Sequence, residues 1–171
     1  MNHESSTTCA NVAVLTVSDT RSLEDDRSGS LIVEALTNSG HAVQYREIVH
    51  DVKESIVSIV SQWAEDAAVD AIIVNGGTGS SPRDVTPDAI VPLMDSTLDG
   101  FGKLFRQLSY KEIGPAAMLS RAVAGWIETN AMRTPVFLLP GSPAGVELAV
   151  TQLIVPQLGH LLDICSLETN P

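Results

Sequence analysis

Val69-Asp70-Ala71-Ile72-Ile73-Val74 runs directly into Asn75-Gly76-Gly77-Thr78-Gly79-Ser80-Ser81, and this junction decides the fold. Apart from Asp70 the first segment is apolar throughout, as a strand must be when helices cover both faces of a parallel sheet. The second is polar and rich in glycine, so the strand ends there in a loop. Thr86-Pro87 then reads as a helix N-cap followed by a proline at the first helical position, which starts a helix to about Met94.

The same order recurs upstream. Val12 to Val17 is a continuously apolar, β-branched run ending in Ser18-Asp19. From Asp26 to Ser39 the residues Leu31, Ile32, Ala35 and Leu36 recur at helical spacing, and Asn38-Ser39-Gly40 is the stop. His41 to Val49 sets Val43, Tyr45 and Ile48 against Gln44, Arg46 and Glu47, the pattern of a strand nearer the sheet edge. Asp51-Val52-Lys53-Glu54 has the form of a capping box, and Ile56, Ile59, Val60 and Trp63 follow on one helical face.

Downstream, Phe101 to Leu108 reads as helix. Val123 to Ile127 and Pro135 to Leu139, separated by the polar Thr129-Asn130 region, read as two paired strands. Ala144 to Leu162 reads as a closing helix bent at Pro156. Repeated strand-helix units predict an α/β fold: three layers, a doubly wound and mostly parallel sheet with helices on both faces. Ligands of such sheets sit beyond the carboxyl ends of the strands, so the loops after Val17, Val49 and Val74 should converge on one crevice.

A chain of 171 residues can withdraw roughly 70% of its unfolded surface from water and needs no staple to fold. The expected organisation is a flexible tail over 1–9, a single domain over 10–164 and a short tail over 165–171. Hydrophobic residues make up 44% of the chain but fall in short runs, so no membrane partner is expected. The polar start, Met1 to Thr8, has neither a secretory nor an Arg-rich transit pattern, which points to the cytoplasm. Cys9 and Cys165 form no metal-binding spacing and read as structural, reduced thiols. A net charge of −11 argues against nucleic acid. A small phosphorylated ligand remains compatible if the site supplies amide dipoles, local cations or a metal ion.

In Gly76-Gly77-Thr78-Gly79 the glycines permit positive φ and let several amides face one anion. The loop is neither a Walker loop nor a dinucleotide fingerprint, and it reads as a phosphate cradle or an ordinary strand-ending turn. In Arg83-Asp84-Val85-Thr86-Pro87-Asp88, Thr86 serves as the cap and Asp88 complements the helix dipole. Asp84 precedes the cap at the ligand end of the sheet, where a carboxylate can coordinate Mg²⁺ or orient a nucleophile. Asp51 is either a helix cap alone or a second carboxylate facing the crevice. Pro140-Gly141-Ser142-Pro143 exposes amides at a helix start, or is a plain turn. Arg83, Lys103, Arg106, Lys111 and Arg121 are half of the ten cations and would balance an anion if the fold gathers them.

Taken in order, Leu15-Thr16-Val17-Ser18-Asp19, Asp25-Asp26-Arg27-Ser28-Gly29, Gly76-Gly77-Thr78-Gly79, Arg83-Asp84-Val85-Thr86-Pro87-Asp88-Ala89, Gly100-Phe101-Gly102, Leu119-Ser120-Arg121 and Pro140-Gly141-Ser142-Pro143 resemble the MoaB/Mog family of molybdenum cofactor biosynthesis proteins. The resemblance spans about residues 10 to 160. It implies a molybdopterin-binding-like fold, a homotrimer or homohexamer, and adenylylation of molybdopterin by Mg-ATP with release of pyrophosphate.

By that resemblance Asp51 and Asp84 are the catalytic and metal-holding positions. Gly76, Gly77, Thr78 and Gly79 hold phosphates, Asp88 joins the substrate-binding set, Ser120 and Arg121 face the pterin, and Pro140, Gly141 and Ser142 line the nucleotide pocket. Mg²⁺ enters with ATP as co-substrate, and no permanently bound cofactor is implied. The competing reading is a non-catalytic carrier or scaffold of the same pathway, in contact with other cofactor-biosynthesis proteins.

Overall fold

The structure, a computed structural model, describes residues 8–129 and 132–167. Residues 1–7 of the expected tail, Asn130 of the expected turn and residues 168–171 lie outside the described residues. The elements follow as β1 (Asn11–Val17), α1 (Arg27–Asn38), β2 (Ala42–Val49), α2 (Lys53–Glu65), β3 (Ala71–Asn75), α3 (Thr86–Ile90), β4 (Ser96–Thr97), α4 (Asp99–Ile113), β5 (Val123–Glu128), β6 (Arg133–Leu139), α5 (Pro143–Ala149) and α6 (Val155–Leu167). The sheet has six strands in the order β2-β1-β3-β6-β5-β4. β2, β1, β3 and β6 are mutually parallel, whereas β5 runs antiparallel to both β6 and β4.

Alternation along the central strands explains the three layers. Val12, Val14, Ile73, Phe137 and Leu139 point to one face, where they meet Ile32 and Leu36 of α1, Phe101 and Phe105 of α4, and Val146 and Leu158 of the last helices. Ala13, Leu15, Ile72, Val74, Val136 and Leu138 point to the other, against Ile56, Val60 and Trp63 of α2 and Ala89 and Ile90 of α3. Both faces are dry, which is why these strands read as continuous apolar runs. The chain moves from β1 outward to β2, then crosses back to place β3 on the other side of β1. That reversal opens the crevice in which α/β sheets bind ligands.

Several local expectations are corrected. Asp51 does not cap α2: the N-cap is Val52, with no side-chain bond, because the Asp51 carboxylate accepts the Val85 amide at 3.2 Å instead. Thr86 does not cap α3 either. Its buried hydroxyl donates to the Gly76 carbonyl at 2.8 Å, and Val85 takes the cap position. The closing helix is longer than expected and passes through a π-turn at Val150–Ile154, immediately before Pro156. The π register locally accommodates a proline that lacks an amide donor. Residues 165–167, expected in a tail, are helical and Cys165 is buried.

Pro143–Cys165 is long and apolar enough, by length and composition alone, to cross a membrane. Val146, Leu148, Ala149, Val150, Ile154 and Leu158 nevertheless pack in the same core as the sheet. It is a core helix of the domain.

Candidate functional site

The loops after β1, β2 and β3 meet at the carboxyl edge of the sheet around a cleft of about 720 Å³, within the usual volume of a small-ligand site. After β1, the Ser18 amide donates to the Val49 carbonyl at 2.8 Å, and the Ser18 hydroxyl accepts the amides of Thr20 and Arg21 at 3.3 and 3.2 Å. Those bonds bend the chain into the cleft wall. After β3, Gly76 has φ +98° and sits so close to β1 that a Cβ there would stand 2.2 Å from the Val17 carbonyl oxygen. Only glycine fits.

The loop from Gly76 to Ser80 is polarised. The carbonyls from Gly76 to Gly79 are taken by the protein: Gly76 O accepts Thr86 Oγ1, Gly77 O accepts the Thr86 amide at 3.0 Å, Thr78 O the Arg121 amide at 3.0 Å, and Gly79 O accepts Arg121 Nε at 2.8 Å. Among the described residues, the amides of Gly77, Thr78, Gly79 and Ser80 meet no protein acceptor. Four successive amides without a protein acceptor on a cleft wall are donors available to an anion. The Thr78 hydroxyl is also buried without a partner among the described residues.

Two carboxylates press on this loop. Gly77, at φ +62°, lies where a Cβ would stand 2.4 Å from Thr86 Oγ1 and 2.9 Å from Asp51 Oδ2, and a Cβ on Gly79 would stand 2.7 Å from Asp84 Oδ2. Asp84 also accepts the Ser81 amide at 2.9 Å. Burial pushes the Asp51 carboxyl above the usual carboxylate range; the Val85 amide opposes this, and the charges of Asp84 and Asp19 add to it. Asp19 goes the other way, held down chiefly by the Asp51 amide at 3.0 Å and also by Arg83, whose Nη2 lies 2.8 Å from Oδ2.

Asp51, Asp84, Gly76, Gly77, Thr78, Gly79, Ser120, Pro140, Gly141 and Ser142 all line the cleft. Gly141 approaches the glycine loop so closely that a Cβ would stand 3.3 Å from the Gly76 Cα. Ser142 doubles as the N-cap of α5, its hydroxyl accepting the Gly145 amide at 3.3 Å. Asp88 and Arg121 do not line the cleft but an adjoining hollow of about 310 Å³, shared with Ser80, Ser81, Pro82 and Asp84. The Arg121 guanidinium is occupied by Gly79 O, by Asp84 O and by Asp88 Oδ2 at 3.0 Å.

The cations expected to gather do not reach the cleft. Arg83 pairs with Asp19, Arg106 donates to the Ala122 carbonyl at 3.1 Å, and Lys103 and Lys111 are exposed on α4. Ser18, Thr20 and Arg21 line it instead and were not identified as site residues by their types. Their signal was positional, since they follow a buried strand that ends at the crevice. Among the described residues no cluster of three His, Cys, Asp or Glu builds a metal cage. Asp51 and Asp84 both line the cleft, and a hard cation held by two carboxylates would complete its shell with ligand oxygens and water.

Comparison with known proteins assigns this architecture. The family profile described as "Probable molybdopterin binding domain" matches residues 13–160. Molybdenum cofactor biosynthesis protein B of Bacillus subtilis is 47% identical over 150 residues, covering 87% of this chain and 86% of the relative. A crystal structure of molybdenum cofactor biosynthesis protein B superposes with a TM-score of 0.87 at 45% identity, covering 92% of this chain and 96% of that one. The tungsten cofactor synthesizing protein MoaB from Pyrococcus furiosus superposes at 0.83 with 35% identity, covering 92% and 97%. The chain therefore belongs to the MoaB/Mog family of molybdenum cofactor biosynthesis proteins and shares its fold.

Proposed function

We propose that the protein adenylylates molybdopterin with Mg-ATP and releases pyrophosphate. The observation that carries this reading is the row of unpaired amides from Gly77 to Ser80 beside two carboxylates, Asp51 and Asp84, in one cleft. Amide donors suit phosphate oxygens whose charge grows during transfer. Burial and like charge penalise ionised Asp51, and a divalent cation shared with Asp84 relieves the like-charge part. The donor set therefore fits Mg²⁺, which when bound neutralises phosphate charge and fixes the phosphate chain.

In this reading the terminal phosphate oxygen of molybdopterin attacks the α-phosphorus of ATP in line. A new P–O bond forms as the bond from the α-phosphorus to the bridging oxygen breaks, and pyrophosphate leaves with the electron pair. The loop amides hold the equatorial oxygens, and Asp51 and Asp84 orient the phosphates. No covalent enzyme intermediate is needed. We further place the protein in the cytoplasm as a homotrimer or homohexamer, for which exposed Leu104, Tyr110, Ile113 and Met118 offer an apolar surface. Sedimentation tests the assembly.

The reaction is tested by mixing purified protein with molybdopterin and Mg-ATP and following adenylylated pterin and pyrophosphate. Stoichiometric appearance of both supports transfer. Tight pterin binding without either product would overturn it in favour of a carrier.

A further inference from the structure

Arg21 is, among the described residues, the one Lys or Arg that lines the cleft. The chain carries a net charge of −11, and the same cleft holds Asp51 and Asp84. The arginines around it are neutralised: Arg46 by Asp26 at 3.3 Å, Arg83 by Asp19 at 2.8 Å and Arg121 by Asp88 at 3.0 Å. Arg21 forms no ion pair among the described residues. Its position is nonetheless fixed. The Ser18 hydroxyl holds its amide at 3.2 Å, and Nη1 donates to Ser28 Oγ at 3.3 Å and to the Gly141 carbonyl at 3.2 Å. Nε and Nη2 meet no acceptor among the described residues.

A half-buried guanidinium anchored through one nitrogen, with the rest of its donors unmatched, is arranged for a bidentate contact with an oxyanion. We propose that Arg21 binds a phosphate group of the ligand, opposing its charge while the amides of Gly77 to Ser80 satisfy its remaining oxygens. The proposal rests on the phosphate-ligand part of the adenylyl-transfer reading and not on the chemistry itself. Arginine suits the task better than lysine, because its planar fork matches two phosphate oxygens and its charge is less strongly hydrated. The bonds to Ser28 and Gly141 also tie Arg21 to the Pro140-Gly141-Ser142 wall, so ligand binding and wall position are coupled through one side chain.

The test compares wild type with Arg21→Met, Arg21→Gln and Arg21→Lys by calorimetric titration with pyrophosphate, AMP, adenosine and molybdopterin, each at low and high salt. Loss of a charge-assisted contact predicts about tenfold or more weaker binding of the phosphate ligands by Arg21→Met and Arg21→Gln, with partial recovery in Arg21→Lys. Adenosine, which has no phosphate, changes by less than about twofold on the same scale. The salt dependence of phosphate binding flattens in the neutral variants. Loss on AMP without loss on molybdopterin assigns the contact to the nucleotide, and the converse assigns it to the pterin phosphate.

Equal losses for adenosine and AMP would show that Arg21 only supports the wall, and would overturn the proposal. Unchanged phosphate affinity overturns it too, as does a wild type that binds no phosphate ligand. Binding of pyrophosphate that depends on Arg21, in a protein that forms no adenylylated product, would uphold this inference while removing the transfer reaction.

Discussion

The Asp51 carboxylate accepts the amide of Val85 across 3.2 Å, a bond that joins the start of α2 to the loop leading into α3. It draws Asp51 away from its own helix and toward the glycine loop, where the charges of Asp84 and Asp19 oppose its ionisation. A half-buried carboxyl whose pKa is raised in the folded state destabilises that state when ionised. The penalty is absent below the unfolded value near 3.8 and grows as pH rises through the higher folded value.

Asp51→Asn, measured without divalent ions, is therefore expected to raise Tm at pH 7.5 by on the order of 1–3 °C. The gain should shrink toward zero as pH falls below the ordinary carboxyl value of 3.8. The asparagine oxygen keeps the Val85 bond, so the comparison isolates charge. A variant less stable than wild type at pH 7.5 contradicts the assigned direction. Turnover is expected to fall in the same variant, the signature of a site held against its own stability.

Asp84 accepts the Ser81 amide at 2.9 Å, and an asparagine oxygen can keep that bond while losing the charge. Asp84→Asn is expected to lower kcat by about a hundredfold or more with pterin affinity within about threefold of wild type, as removal of an interaction used in the transition state does. Single-turnover kinetics with molybdopterin and Mg-ATP decide it. Unchanged kcat would remove Asp84 from the reaction.

Gly77 and Gly100 provide a paired test of the loop. A Cβ at Gly77 meets Thr86 Oγ1 at 2.4 Å on a backbone of φ +62°, whereas Gly100, in the first turn of α4, has nothing within 4 Å. Gly77→Ala is expected to cost roughly 2–4 kcal/mol, from positive-φ strain plus overpacking. Gly100→Ala should stabilise by about 0.4–1 kcal/mol through the unfolded chain. Urea midpoints report both, and equal effects would refute the close packing of Asp51 and Thr86 against Gly77.

What could be read from the chain followed from local physics. Ala71 to Val74 is apolar on both sides because both faces of β3 are covered, so the strand, its direction and the loop beyond it were all legible. The convergence of the loops after Val17, Val49 and Val74 followed from topology alone. The capping-box half of the Asp51 reading fails because a capping box is a local pattern, and the amide that wins its carboxylate belongs to Val85, 34 positions away. The role of Arg21 is invisible in the sequence for the same kind of reason. Its partners Ser28 and Gly141 lie 7 and 120 positions away, and neither separation leaves a pattern in the sequence.

Arg121 offers the sharpest separation between facing a substrate and shaping a site. Its Nε holds the Gly79 carbonyl at 2.8 Å, another nitrogen holds the Asp84 carbonyl, and the third meets Asp88 at 3.0 Å. One guanidinium thus spans both ends of the 79–84 segment, and its backbone amide holds Thr78 O at 3.0 Å. Lysine keeps the charge but cannot reach three acceptors from one plane. Arg121→Lys is expected to speed amide exchange and proteolysis in residues 79–84 and to raise KM about tenfold or more, as a loosened binding loop does. Asp88→Asn removes only the charge of the exposed carboxylate, one side of an ion pair of small worth, and should leave exchange in that segment unchanged. If Arg121 instead contacted the pterin directly, Arg121→Lys would weaken binding with no change in loop protection. Hydrogen exchange of the unliganded variants therefore distinguishes the two roles without any assay of turnover.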